Sequence, residues 1–429
     1  MTTFLAYSSP AAGHTFPLIP GLLALQARGH TVHLRTAPDL VETARAAGLD
    51  AEPVAESILG IEVRDYEARS ARQRLVRGFE HLLGRGPAEA EDLKRAIAQI
   101  EPDVLLIDVN AYGAAVAAQA IGLPWATVLP SLLPLPGAGI PPYGFGLAPK
   151  GGLAGRVRDR VLWRVAERLY GQAMLPGLNR LRAAEGLPAL SSPIDHLHTP
   201  DRLIVLSGDP LEYPRADLPP HVRFVGAQNW DPPTPPTPPA DAPAWLVEDG
   251  DPWVLVTCST EYQGDEALAA AAVEALRDEP VRVVVTLADA HGRALPSAPN
   301  ARIERFVPHG PVLERAVAVV CHGGMGIVQK AVGAGVPVVA VPFGRDQPEV
   351  ARRVAECGAG VVLPARRLSA ARLRAAVREA IARRPAAQAA GVRLRASGGP
   401  GAFAAAAEEL APADAGAPAA QAISSGPVR

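Results

Sequence analysis

The sequence predicts an α/β protein of two doubly wound domains, each a parallel sheet flanked by helices, facing one another across a cleft. Three observations predict it. Short apolar runs alternate with helical stretches over residues 4–129, and the same rhythm restarts at residue 253. Between the halves lies a spacer, 231–243, in which seven of thirteen residues are proline. Alternation of this kind builds βαβ units and a parallel sheet, and proline-dense backbone is extended and semi-rigid.

Taken in order, residues 4–7 form a short buried strand, followed by a small-residue loop over 8–14. Pro17 opens an apolar helix that runs to Arg28 and stops at Gly29, where glycine suits a left-handed cap. Residues 31–36 and 104–107 read as strands, 111–121 as a helix closed by Gly122, and 125–129 as a further strand. Over 130–188 the rhythm breaks into a Pro-, Gly- and Leu-rich loop (132–147) and a long Arg-laced helix (153–184). Such long insertions in compact domains are commonly functional. Past the spacer, strands are expected at 253–258, 281–286, 302–307, 317–321 and 336–341, with helices at 266–277, from about 327, and after Gln347. The residues 412–429, rich in Ala, Gly, Pro and Ser, read as disordered.

Composition narrows the function. The 429 residues fit two to three domains at roughly 150 each. A formal net charge of -2 gives no electrostatic footprint for nucleic acid or an anionic membrane. Cys258, Cys321 and Cys357 stand far apart, which argues against a disulfide framework or a thiolate zinc site. With no apolar run long enough to span a bilayer and no basic-then-apolar amino terminus, a cytoplasmic protein without membrane insertion is expected. Lysine supplies only three of 42 basic residues, so much of the Arg and Pro content reflects coding bias rather than function.

The chemistry should lie just after strands, because open parallel sheets bind ligands beyond their carboxyl ends. Cys321-His322-Gly323-Gly324-Met325-Gly326 follows a Val-rich strand and precedes a helix. Glycines let backbone approach a ligand, and a helix amino terminus presents unpaired N–H groups to an anion such as a diphosphate. Asp346 and Gln347, after the next strand, offer a carboxylate and an amide for vicinal hydroxyls. In the amino-terminal half, His14 lies beyond the first strand and Asp108 ends a later one. An imidazole can take a proton near neutral pH, and a carboxylate can orient it. Asp249-Gly250-Asp251 has an Asp-x-Asp form but precedes a strand, so it reads as a turn rather than a metal site. His196 and His198 sit in a polar loop and read as surface residues.

These motifs resemble the GT-B nucleotide-sugar glycosyltransferases, specifically the bacterial natural-product relatives of the UDP-glycosyltransferases. The resemblance rests on Phe306-Val307-Pro308-His309, then His322-Gly323-Gly324, then Asp346-Gln347, together with Gly13-His14 and Ile107-Asp108. It implies an inverting, metal-independent enzyme of the GT-B fold with no cofactor beyond its nucleotide-sugar co-substrate. His14 would be the general base and Asp108 its partner. Phe306 and Val307 would hold the nucleobase, and Ser259, Thr260, His322, Gly323, Gly324, Met325 and Gly326 the diphosphate. Asp346 and Gln347 would hold the sugar. Leu132, Tyr143, Phe145 and Phe79 are expected to line the site of a lipophilic small-molecule acceptor. The implied organisation is an acceptor domain (1–225), linker (226–245), donor domain (246–390), a helical segment returning to the first domain (391–410) and a tail (411–429). Ile327 stands where the family carries Ser or Thr, Lys330 where a Glu often grips the ribose, and His309 where Gln is usual. Thymidine nucleotides lack the ribose 2′-hydroxyl, so loss of that Glu points to a dTDP-sugar over a UDP-sugar. The rival readings are a nucleotide-sugar epimerase and a noncatalytic nucleotide-binding partner of another transferase. Oligomeric state stays open, a homodimer being one option.

Overall fold

The computed structural model describes residues 1–60, 67–68, 70–232, 244–259, 264–287 and 295–412. Thr260, His291, most of the proline spacer and residues 413–429 of the expected tail lie outside the described residues. Among those described, seven strands make a first sheet: β1 (Thr3–Tyr7), β2 (Thr31–Thr36), β3 (Asp50–Pro53), β4 (Val104–Asp108), β5 (Trp125–Leu129), β6 (Arg202–Val205) and β7 (Val222–Phe224). A second sheet holds β8 (Trp253–Thr257), β9 (Arg282–Thr286), β10 (Ala301–Glu304), β11 (Ala316–Cys321), β12 (Val338–Ala340) and β13 (Gly360–Val362). The orders are β3-β2-β1-β4-β5-β6-β7 and β10-β9-β8-β11-β12-β13, and the pairings are parallel. Strand order therefore reverses between β1 and β4 in the first sheet and between β8 and β11 in the second. This is the GT-B architecture of two parallel-sheet α/β lobes.

The strands form where the sequence is continuously apolar. Every residue of β4, β5 and β8 is buried, as expected of parallel strands covered on both faces. β2 instead alternates buried and partly buried residues along Thr-Val-His-Leu-Arg-Thr. The strands absent from the sequence reading are β3, β6, β7 and β13, which are short and lie at or beside sheet edges. β3 reads Asp-Ala-Glu-Pro, and a proline is tolerated there because an edge strand need not donate on both sides. The long helix Gly152–Ala184 forms as expected, with Pro176 inside it. Among the described residues no helix is long and apolar enough to cross a membrane.

The lobes share a packed seam. Leu132, expected to line the acceptor site, is fully buried in the core built around β11, β12 and their helices; its loop leaves the first sheet and is drawn into the second lobe. Arg353, on the helix Gln347–Glu356, is 2% exposed. Its Nε donates to Glu349 at 2.9 Å, its Nη1 donates to the Leu211 carbonyl at 3.1 Å, and the guanidinium lies 3.4 Å from the Tyr213 ring centre. Gln329 Nε2 donates to the Leu206 carbonyl at 2.6 Å.

The return crossing comes later than the expected boundary at residue 391. Helix Arg384–Ala396 still packs on the second lobe through Ala387, Ala390 and Leu394. The chain passes over at Ser397–Gly399, where Gly398 backs onto Gly226. Helix Pro400–Glu408 then buries Phe403 against helix Ile19–Ala27 of the first. Glu409 receives Arg202 and Arg223 beside it.

His196 corrects the surface expectation. It lies in the short 3-10 segment Asp195–His198, with Nδ1 donating to the Pro193 carbonyl and its ring 5.6 Å from that of Tyr112. Burial pushes its pKa down to about 4. The unfolded imidazole binds a proton more tightly than the folded one, so stability contributed by this site is lost as pH falls from 6.5 toward 4. His196→Asn, which keeps a donor for Pro193, should recover about 1–2 kcal/mol at pH 5 relative to pH 7.5 in paired urea melts; equal pH dependence in both proteins would contradict this. Leu132→Ala should cost about 2–5 kcal/mol in the same melts, and a loss below about 1 kcal/mol would show that the seam is not packed as described.

Candidate active site

The first sheet's reversal point brings together two residues distant in sequence. Tyr7 of β1 sits beside Ile107 of β4, so the turn after β1 and the end of β4 share one crevice. The residues expected as a loop contain one helical turn, Ala12–Thr15. It is pinned by Thr15, whose hydroxyl lies 2.9 Å from that of Ser8 and 2.7 Å from that of Thr36. His14 Nδ1 then lies 2.8 Å from Asp108 Oδ2, with the His14 side chain 24% exposed and that of Asp108 fully buried. A buried carboxylate accepts, so Nδ1 carries the hydrogen and Nε2 keeps its lone pair.

Sequence reasoning missed the groups that complete this corner. Asn110 donates its main-chain N–H to Asp108 Oδ1 at 2.9 Å, and its Nδ2 stands 3.1 Å from His14 Nε2. Behind it, buried Arg85 reaches Ser9 Oγ at 3.2 Å, the Asn110 carbonyl at 3.3 Å and Glu89 Oε1 at 3.2 Å. Burial pushes the Glu89 pKa up to about 7, against the pull of Arg85 and the Gly113 N–H. The only sequence signal for Asn110 was its place two residues past Asp108.

In the second sheet, the β8 and β11 ends lie side by side, with Cys321 opposite Thr257. Gly323 has φ +89°, a left-handed conformation that favours glycine. A Cβ on Gly324 would fall 2.3 Å from His322 Nε2, so only glycine lets the imidazole lie over the turn. Burial lowers the His322 pKa, keeping the ring neutral. Helix Met325–Gly333 starts directly afterwards, and its first backbone bond of this kind runs from Val328 N to Gly324 O. The N–H groups of Met325, Gly326 and Ile327 thus precede that ladder, as at any helix start. The Met325 and Ile327 side chains are in the core, so Ile327 leaves main chain alone where the family has a hydroxyl.

Side chains around this turn have partners within the protein. Ser259 directs both its N–H and its hydroxyl to Asp265 Oδ2, at 2.7 and 2.9 Å; Thr260 is outside the described residues. Gln347 accepts from the N–H groups of Phe343 and Gly344 through Oε1, closing its own turn. Asp346 does not cap its helix with its side chain but accepts from Ser131 Oγ of the first lobe at 2.8 Å. Lys330, which stands where a Glu often grips the ribose, bonds Asp231 at 2.5 Å, whose other oxygen accepts from Gly310 N. Although burial opposes it, Lys330 holds the Asp231 carboxyl below its usual range. Phe306 lies beyond β10 and is 49% exposed, whereas Val307 is buried.

Of the expected acceptor residues, Leu132 is in the second lobe's core, and the other three stand near Tyr170 or on the loop beside it. Tyr143 packs on the second lobe's core with its hydroxyl 3.2 Å from Ser131 Oγ, and Phe145 is exposed on the same loop. Phe79 lies on helix Ala71–Gly84, its ring edge-on to Tyr112 and Tyr170. Asp249 and Asp251 lie in bends ahead of β8, away from the carboxyl end of the sheet.

Residues 268–412 match the family described as erythromycin biosynthesis protein CIII-like, C-terminal domain. The chain is 32% identical over 386 residues to 4′-demethylrebeccamycin synthase of Lentzea aerocolonigenes, covering 87% of this chain and 90% of the relative. A crystal structure of the glycosyltransferase of kitacinnamycin superposes with a TM-score of 0.72 at 23% identity, covering 96% of this chain and 99% of that one. Glycosyltransferase VinC, solved in complex with dTDP, superposes with a TM-score of 0.64 at 24% identity, covering 95% and 100%. With its two parallel sheets, its paired reversal points and this likeness over nearly the whole chain, the protein belongs to the bacterial natural-product glycosyltransferases of the GT-B fold.

Proposed function

We propose that the chain is an inverting, metal-independent hexosyltransferase that moves a hexose or deoxyhexose from a dTDP-linked donor to a lipophilic aglycone, of the polyketide or a related natural-product type. The observation that carries this reading is the His14–Asp108 pair, 2.8 Å apart at a sheet reversal point. An acceptor hydroxyl gives its proton to His14 Nε2 as its oxygen forms a bond to C1 of the sugar. The bond from C1 to the diphosphate breaks on the opposite face, which inverts the anomeric centre. Asp108 holds the tautomer and stabilises the imidazolium that forms.

Departing negative charge is met by the amino terminus of helix Met325–Gly333 and by His322. The exposed face of Phe306 suits stacking on a nucleobase, with the Val307 backbone beside it. Sugar hydroxyls exchange with Ser131 on Asp346, since that carboxylate already holds a hydroxyl there. Support for a thymidine donor comes from position 330: Lys330, bonded to Asp231, carries an ammonium with donors only, so it brings no acceptor for a ribose 2′-hydroxyl. VinC, of the same fold, was solved with dTDP.

His14→Ala should lower kcat for transfer to an oxygen acceptor by about 100-fold or more, while calorimetric binding of the nucleoside diphosphate stays unchanged. Retained turnover would remove His14 from the mechanism. In competitive titration dTDP should displace a bound nucleotide at lower concentration than UDP, and clearly tighter UDP binding would overturn the thymidine assignment.

A further inference from the structure

Resting on the reading of His14 as the base, we propose that Asn110 is a positioning residue that occupies the proton-accepting nitrogen of His14 until an acceptor hydroxyl replaces it, and so keeps water off the base. One residue touches both members of the dyad: its main-chain N–H is on Asp108 Oδ1 at 2.9 Å and its Nδ2 is 3.1 Å from His14 Nε2. Asp108 takes the hydrogen on Nδ1, so Nε2 is the atom left to receive a proton. The amide N–H stands in the place an acceptor O–H must take.

The backbone of Asn110 is anchored independently of its side chain. Its carbonyl accepts from Arg85, which is buried and paired with Glu89, and its N–H is on Asp108. Displacement therefore requires only rotation of the side chain, with the dyad left in register. An amide suits the task because it donates a hydrogen bond but neither attacks C1 nor gives up its proton at neutral pH. A water molecule in the same place would do both. Its oxygen would bond to C1, the C1–O bond to the diphosphate would break, and its proton would pass to Nε2, giving free sugar and nucleoside diphosphate. A bound aglycone brings enough additional contact to displace one neutral hydrogen bond; a single water does not.

The test is release of dTDP from dTDP-glucose by the full-length enzyme in acceptor-free buffer. Asn110→Ala, and Asn110→Ser as a second variant whose shorter side chain falls short of Nε2, should each raise hydrolysis about 3- to 10-fold with calorimetric dTDP affinity retained. Adding His14→Ala to either variant should abolish the excess. Hydrolysis no faster than wild type in a variant that still binds dTDP overturns the assignment, and so does excess hydrolysis that survives His14→Ala. Failure of the underlying reading has a different signature. If His14→Ala alone still transfers sugar, His14 is not the base; if it is inactive while both Asn110 variants behave as wild type, only the role of Asn110 falls.

Discussion

The hydrogen bond from His14 to Asp108 depends on strand order before it depends on either residue. β1 and β4 are neighbours because the chain, having wound outward through β2 and β3, returns to the other side of β1. That return places residues 94 positions apart at 2.8 Å. It also puts a carboxylate at the buried end of an apolar strand, where an uncompensated charge would be costly. Asp108 is compensated from two directions, by the imidazole and by the Asn110 N–H. The rest of the corner follows from keeping that carboxylate paired: the Thr15–Ser8–Thr36 hydroxyl chain fixes the turn that carries His14, and buried Arg85 fixes the turn that carries Asn110.

The second lobe repeats the topology with a different division of labour. Its reversal point lies between β8 and β11, and the glycine turn follows β11. There the polar side chains bind one another: Ser259 with Asp265, Gln347 with its own turn, and Lys330 with Asp231. On the proposed reading these bonds frame the donor's surroundings, to which main-chain N–H groups, the His322 ring, Asp346 and the exposed ring of Phe306 contribute. Backbone donors at a helix start are already oriented, so binding an anion there requires little reorganisation.

Much of this was legible in the sequence because it is local. Continuous apolar runs gave the central strands, Gly122 and Gly29 marked helix ends, and the His-Gly-Gly and Asp-Gln motifs sit at strand ends where a parallel sheet binds ligands. The illegible parts are set by contacts between distant segments. Leu132 has the composition of an acceptor-site residue, yet it is claimed by the other lobe's core. His196 sits among polar neighbours in sequence but against Tyr112 in space. Ser131 and Asp346 are 215 residues apart and carry no shared motif. Edge strands such as β3 pair on one side only, so they can carry polar residues that a central strand cannot.

The bonds across the cleft fall into two kinds, and their difference constrains how the lobes can move. Arg353 and Gln329 bridge the lobes where both partners are buried. Breaking those bonds would strip one guanidinium nitrogen of Arg353, the Gln329 amide and two carbonyls of buried partners, at a cost several times that of an exposed hydrogen bond. Ser131 to Asp346, Arg74 to the Phe343 carbonyl and Arg352 to the Gly146 carbonyl are only partly buried, and water can replace each partner cheaply. Opening to admit a donor would therefore break the second set and pivot on the first. Because Asp346 belongs to the second set, the carboxylate proposed to hold the sugar is released from Ser131 by the same motion that opens the cleft. Closure would then bring the first lobe's hydroxyl back to a carboxylate that a sugar already occupies.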